Sequence, residues 1–224
     1  FTYFNDLPGM VQEIAASQGT KLSCTRFLKG GERFSGHLKN QKLIQTLKSG
    51  GWDYVILQEQ STIPAMSTTK VIRNVYPMAR ALDSLAHIGS PDVKVVFFMT
   101  WGHKFGNRKP IAEYPLANDY DNMQERLKTS YLEMTYDNNA WCAPVGMAWQ
   151  RIRLERPDCE LYRSDNYHPA VPGSYLAANV IFTTLFQKPY RTEFTADLPT
   201  SLAEYLQQTA QQTVLDNFVL LNIR

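Results

Sequence analysis

The sequence predicts an α/β fold, a three-layer sandwich in which a mainly parallel sheet is flanked by helices, and three observations predict it. Two runs, W-D-Y-V-I-L at 52–57 and V-K-V-V-F-F-M at 93–99, are near-continuous apolar stretches of strand length, as expected of strands buried on both faces of a parallel sheet. Stretches with apolar residues at helical spacing alternate with strand patterns at least four times. Polar or glycine-bearing stretches stand directly after the strands, Q-E-Q-S at 58–61 and T-W-G at 100–102, and in such sheets ligands bind beyond the carboxyl ends of the strands.

Asn5 and Asp6 ahead of Leu7 and Pro8 supply a cap and an early proline, and Met10, Val11, Ile14 and Ala15 recur at helical spacing until Gly19. Residues 21–28 mix Leu, Cys, Thr and Phe and read as a strand ended by Gly30 and Gly31. A second helix is expected over 38–47, stopped by Gly50 and Gly51, and leads into the strand at 52–57. Residues 71–87 carry a strong helical pattern, with Val75, Met78, Ala79, Leu82 and Leu85 on one face, ahead of the strand at 93–99. The polar stretch 103–118, with Pro110 and Pro115, is the longest loop and a candidate cleft border. A helix over 123–136, a short strand over 140–145 and a short helix over 147–154 come next. Residues 164–178 open into an apolar helix, and the tail predicts a helix over 202–215 and a terminal strand over 218–223.

A chain of 224 residues suits one domain with a substantial core, and its 44% hydrophobic and 20% charged content is that of an ordinary globular protein. With 23 basic and 21 acidic residues scattered along it, the chain has no electrostatic footprint for nucleic acid or anionic lipid. No apolar run approaches the ~18 residues of a membrane span, and no signal peptide is visible. The compartment stays open, since a signal can be removed, and so does the oligomeric state. Cys24, Cys142 and Cys159 form no C-x-x-C pair, which argues against zinc or a disulfide scaffold and for small buried hydrophobes. No glycine-rich phosphate loop comes after a strand, which disfavours a nucleotide-binding, flavodoxin-like reading.

Chemistry concentrates in S-D-N-Y-H-P-A-V-P-G-S-Y-L-A-A at 164–178. Pro169 disfavours the α region for His168, so Asp165 and His168 are expected on an extended loop ahead of the helix, where a carboxylate can orient a general base. Such a base serves hydrolysis when an oxyanion hole accompanies it. Candidate donors are the backbone amide at Gly30 or Gly31 and the side-chain amide of Gln60. Gln58 and Glu59 either cap the strand end or contact substrate, and Trp101 either stacks on a sugar ring or covers the core. His37 and His103 are expected in rim loops and His87 in a structural place.

The block D-N-Y-H-P, with Gly173 and Tyr175 downstream, resembles the last block of the SGNH (GDSL-like) hydrolase superfamily, whose Asp-x-x-His supplies the acid and base of a triad. The opening F-T-Y-F-N-D-L-P resembles the segment directly after the nucleophile in the branch whose first block begins Gly-Asn-Ser-Phe-Thr. The resemblance implies a nucleophilic serine immediately before Phe1, with the strand leading to it also outside the chain. It puts the family's oxyanion glycine at Gly31, or at Gly30, and the third-block asparagine at Gln60, where glutamine is longer and the block's glycines are missing. Overall it implies a single hydrolase domain over 1–224, a serine esterase for small O-acyl esters such as acetyl groups on carbohydrate. Asp165 and His168 would be catalytic, Gly31 and Gln60 oxyanion donors, and Gln58 and Trp101 substrate contacts, with no metal or organic cofactor. Acyl transfer by the same triad, and a non-catalytic carbohydrate-binding relative, are the alternatives.

Overall fold

The computed structural model describes residues 1–107 and 117–224. Three parallel strands, β1 (Tyr54–Leu57), β2 (Lys94–Phe98) and β3 (Trp141–Ala143), form a sheet in the order β1-β2-β3. Val55 stands beside Val95, and Phe97 beside Cys142. The apolar run of β2 is explained by its place: Val95, Val96, Phe97 and Phe98 are all buried, as a strand with neighbours on both edges and cover on both faces requires. Because the strands are parallel, the residues after Leu57, Phe98 and Ala143 emerge on one rim.

The helices begin where local chemistry starts them. The Asp6 side chain accepts the Gly9 amide at the head of α1 (Leu7–Ser17), whose first turn holds Pro8. A short α2 (Phe34–His37) precedes α3 (Gln41–Ser49), and the helix expected from residue 38 starts at 41 because the Asn40 side chain caps it through the Leu43 amide. The helix expected over 71–87 is two, α4 (Thr68–Asn74) and α5 (Tyr76–Gly89). Pro77 cannot donate to the turn before it, and the break at Val75 results. Asp119 caps α6 (Tyr120–Asp137), and α7 (Val145–Glu155) comes directly after β3. The last two helices are α8 (Val171–Phe186) and α9 (Thr200–Leu215).

Helix α8 is apolar all round, as a helix enclosed on every side must be. It packs on α1, α7, α9 and β3, while α5 packs with α3, α4 and α6. Its polar side chains turn inward on the backbone: Asn179 donates to Tyr175 O, Thr183 to Asn179 O and Thr184 to Val180 O. The loop at 164–170 is thereby anchored to a rigid element. No described helix is long and apolar enough to cross a membrane.

Two expected strands are absent. Residues 21–28 are irregular, and the tail over 218–223 forms turns that bond β3 through a single contact, the Cys142 amide to Leu221 O at 3.1 Å. The first has a physical cause. A cavity of about 480 Å³, lined by residues 21–28, by Tyr54, Val55, Ile56 and Leu57 of β1, and by Val11, Leu82 and Ile181, separates the segment from the sheet edge it would join. Without a neighbour, its amides and carbonyls have no ladder to enter. The same displacement leaves Cys24 exposed, against the expectation of a buried hydrophobe; Cys142 is buried and Cys159 half-buried. Of the loop expected at 103–118, residues 108–116, with Pro110 and Pro115, lie outside the described residues.

Candidate active site

Residues 161–170 fold back on themselves ahead of α8. Tyr162 pairs antiparallel with Pro169, the Arg163 amide donates to His168 O at 2.9 Å, and the Ala170 amide to Leu161 O at 2.9 Å. The reversal needs a left-handed residue, and Asn166, with φ of 66°, supplies it. Asp165 divides its two oxygens between loop and ring. Oδ1 accepts the amides of Tyr167 (3.1 Å) and His168 (3.0 Å), and Oδ2 lies 2.8 Å from His168 Nδ1. Partial burial pulls the Asp165 carboxyl upward, but the two amides and the imidazole outweigh it and hold the group below its ordinary value. An ionised Asp165 at Nδ1 fixes the tautomer in which Nε2 is free to take a proton.

The chain start is packed against this pair. The Phe4 ring stacks on the His168 ring at 4.2 Å, and Phe1 meets it edge-on at 6.0 Å. Asn5 Nδ2 donates to Pro169 O (3.1 Å) and to Ser174 Oγ (2.9 Å), joining the first turn to the head of α8. Phe1 also stacks on Trp101 (4.2 Å), which stacks on Trp149 (4.0 Å, 2° between planes), with Tyr162 edge-on to Trp149. Trp101 Nε1 donates to Tyr167 O at 3.1 Å. Both faces of Trp101 are covered and none of the residue is exposed, so it has no surface for a sugar; it supports the loop of His168 from beneath. Gly173 is a glycine for want of space, since a Cβ there would stand 2.5 Å from both Leu161 O and the Trp149 ring.

Gly31 sits in a tight turn closed by the Glu32 amide on Lys29 O, with φ of 68°, which favours glycine. A Cβ on neighbouring Gly30 would lie 3.3 Å from the Tyr3 hydroxyl. Tyr3 stacks on Phe4, and Phe4 on His168, so two aromatic rings link the glycine turn to the imidazole. Gln60 is oriented by its own Oε1, which accepts both the amide (3.0 Å) and the hydroxyl (2.9 Å) of Thr62; its Nε2 has one long contact, to Ser61 Oγ at 3.4 Å. Gln58 is engaged with the chain start instead, its Oε1 accepting the Thr2 hydroxyl at 3.1 Å and its Nε2 donating to Glu59 O. His87 contacts Asp83 within its own helix. Among the described residues no group of three or more His, Cys, Asp or Glu is arranged to hold a metal ion.

From sequence, Glu59 fits a strand cap and a substrate contact equally well. Only 1% exposed, its carboxylate accepts the Phe34 amide through both oxygens (3.3 and 3.2 Å) and the Gln60 amide at 2.7 Å. Burial drives its carboxyl up to about 7, against the two amides and Arg33, which favour the charge; Glu32 opposes it, and Tyr131 of α6 is also close. The signal in sequence was a glutamate at the end of a buried strand. In the unfolded chain this group titrates near 4.5 and in the folded chain at about 7. The folded state therefore holds the proton more tightly, and this contribution to stability is fully present below pH 4.5 and lost as pH rises through 7. The loss is of order 3 kcal/mol. Urea unfolding from pH 4 to 8 should show that decline in the wild type and not in Glu59→Gln; parallel profiles for the two proteins would contradict it.

No protein-family model matches the chain, and no curated protein matches it. Two solved structures are similar. One is a DUF4886 family protein from Bacteroides uniformis, with a TM-score of 0.70 at 16% identity over 96% of this chain and 89% of that one. The other, from Slackia heliotrinireducens, is described as "a putative SGNH hydrolase" and is similar with a TM-score of 0.62 at 27% identity, over 81% of this chain and 91% of that one. The mixed α/β architecture, a parallel sheet flanked by helices, is thus that of an SGNH-like fold.

Proposed function

We propose, from the premise of an SGNH-like fold, that the chain is the greater part of a serine esterase domain acting on small O-acyl esters, carbohydrate acetates among them. The observation that carries this reading is the Asp165–His168 pair with Phe1 and Phe4 packed against its imidazole. A residue joined to Phe1 has its Cα ~3.8 Å from that of Phe1, and so lies beside the same ring. We place the nucleophilic serine there. The strand leading to it would run along the open edge of β1, in the cavity between β1 and residues 21–28, and would give that segment the neighbour it lacks.

In this mechanism His168 Nε2 takes the serine proton as the hydroxyl oxygen bonds to the ester carbonyl carbon. The carbonyl oxygen becomes an oxyanion, which accepts hydrogen bonds from the Gly31 amide, Gln60 Nε2 and the amide of the serine. Collapse breaks the bond to the alcohol, which leaves with the proton from His168, and the acyl group stays on the serine. Water then attacks the acyl-serine with His168 again as base, releasing the acid and restoring the serine. Asp165 holds the ring and stabilises the imidazolium throughout. The neighbour described as "a putative SGNH hydrolase" supports hydrolase chemistry; the choice of a small acyl group rests on the family resemblance.

The test uses the chain extended upstream by its own sequence. Turnover of p-nitrophenyl acetate is expected, together with stoichiometric labelling of the residue before Phe1 by a fluorophosphonate. Labelling at a different residue, or no turnover, would overturn the reading.

A further inference from the structure

Glu59 has no part in the proton transfers above, yet it is a buried acid bonded to the backbone of both segments that carry the candidate oxyanion donors. One carboxylate joins two separate loops. Both oxygens take the Phe34 amide, at the end of the loop that carries Gly30 and Gly31, and Oε1 also takes the Gln60 amide at 2.7 Å. Phe34 is itself wholly buried and tilted against Phe97 of β2, so the tie ends on a fixed side chain. The loop is short, with two residues between Gly31 and Phe34, and Lys29, Gly30, Gly31 and Arg33 are exposed to solvent.

We infer that Glu59 is a positioning residue of the oxyanion pocket, clamping the glycine loop to the Gln60 loop so that backbone and side-chain donors keep one separation. This rests on the esterase reading for its purpose, though the clamp stands apart from it. A neutral side chain of the same shape defines the consequence. Glutamine at 59 keeps one oxygen, which still serves the Gln60 amide and the longer Phe34 contact, but puts an NH₂ in place of the other, so the shorter Phe34 bond is lost and donor meets donor there. The anchor of the glycine loop would be weakened while the core side chains stay in place. Donors displaced by a fraction of an ångström serve the ground state nearly as well but stabilise the developing oxyanion poorly.

Two measurements test it. Amide exchange on the 224-residue chain is expected to be faster at Phe34 in Glu59→Gln than in the wild type; unchanged protection there overturns the clamp whatever the protein catalyses. In the upstream-extended protein, Glu59→Gln is expected to lower kcat for p-nitrophenyl acetate by roughly 10- to 100-fold with KM nearly unchanged. Its melting temperature should stay within about 5 °C of the wild type. A merely structural glutamate predicts the reverse, a lower melting temperature with kcat of the folded protein intact, and that result overturns the inference. His168→Ala is the control: if it turns over normally the esterase reading falls, whereas a dead His168→Ala beside a Glu59→Gln of normal kcat removes the clamp's role and leaves the triad.

Discussion

His168→Ala, in the chain extended upstream by its own sequence, is expected to lower kcat for p-nitrophenyl acetate by about 10⁴-fold or more while KM changes little. The imidazole is the group in the proposed site that moves a proton in every step, and among the described residues that touch it none can substitute. Asp165 is ionised and committed, with Oδ1 held by two amides and Oδ2 by Nδ1. The neighbouring rings, Phe1, Phe4 and Tyr167, provide packing in place of a second base. Deleting the ring leaves the loop largely intact, because its bonds do not use the imidazole: the Arg163 amide donates to His168 O, the Ala170 amide to Leu161 O, and the His168 amide to Asp165 Oδ1. Stopped-flow and steady-state assays of the purified variant, with circular dichroism to show that it is folded, give the comparison. Turnover within tenfold of the wild type would remove His168 from the mechanism.

That pair was legible in the sequence because the bonds between acid and base are local. Pro169 forces His168 out of the α region, three residues separate acid from base, and one carboxylate reaches both the ring and the amides above it. Strand β2 was legible for a related reason, since a continuous apolar run such as V-V-F-F identifies a strand covered on both faces without reference to its neighbours; β1 was found by the same pattern, but as an edge strand it leaves Ile56 exposed and only Leu57 buried. Residues 21–28 carried comparable β-favouring chemistry and misled, because a strand exists only with a partner edge, and a cavity stands where that edge would be. The break between α4 and α5 was written in Pro77 but hidden by apolar periodicity that runs on across it. Trp101 and Glu59 were not legible in their roles. Their partners lie far along the chain, Trp149 and Phe1 for the first and Phe34 for the second, and only the fold brings them together.

Trp101→Ala is the second large effect, and it tests whether the His168 loop is held from beneath. The indole is wholly buried, sandwiched between Phe1 and Trp149, and its Nε1 bonds Tyr167 O, one residue before His168. Truncation removes one of the two largest side chains of this layer and opens a cavity among rigid neighbours, a change that costs about 3–5 kcal/mol. For a chain of this length that corresponds to a melting temperature lower by roughly 10 °C. Stability is only part of the expected loss. With the stack gone, Phe1 loses the surface that fixes it and Tyr167 O loses its donor, so the residue before Phe1 and the His168 ring drift relative to one another. The folded variant should therefore lose kcat as well, by roughly 10²-fold, since misplacement of reacting groups by about 1 Å has that effect. Trp101→Phe separates the two contributions: it keeps an aromatic face between Phe1 and Trp149 and loses the Nε1 bond, worth about 1 kcal/mol. Urea unfolding and kcat measured on both variants should rank wild type, Trp101→Phe and Trp101→Ala in that order. A Trp101→Ala protein within about 1 kcal/mol of wild-type stability would show that the stack does not anchor the chain start, which would then rest on the packing of Phe1 and Phe4 against His168 alone.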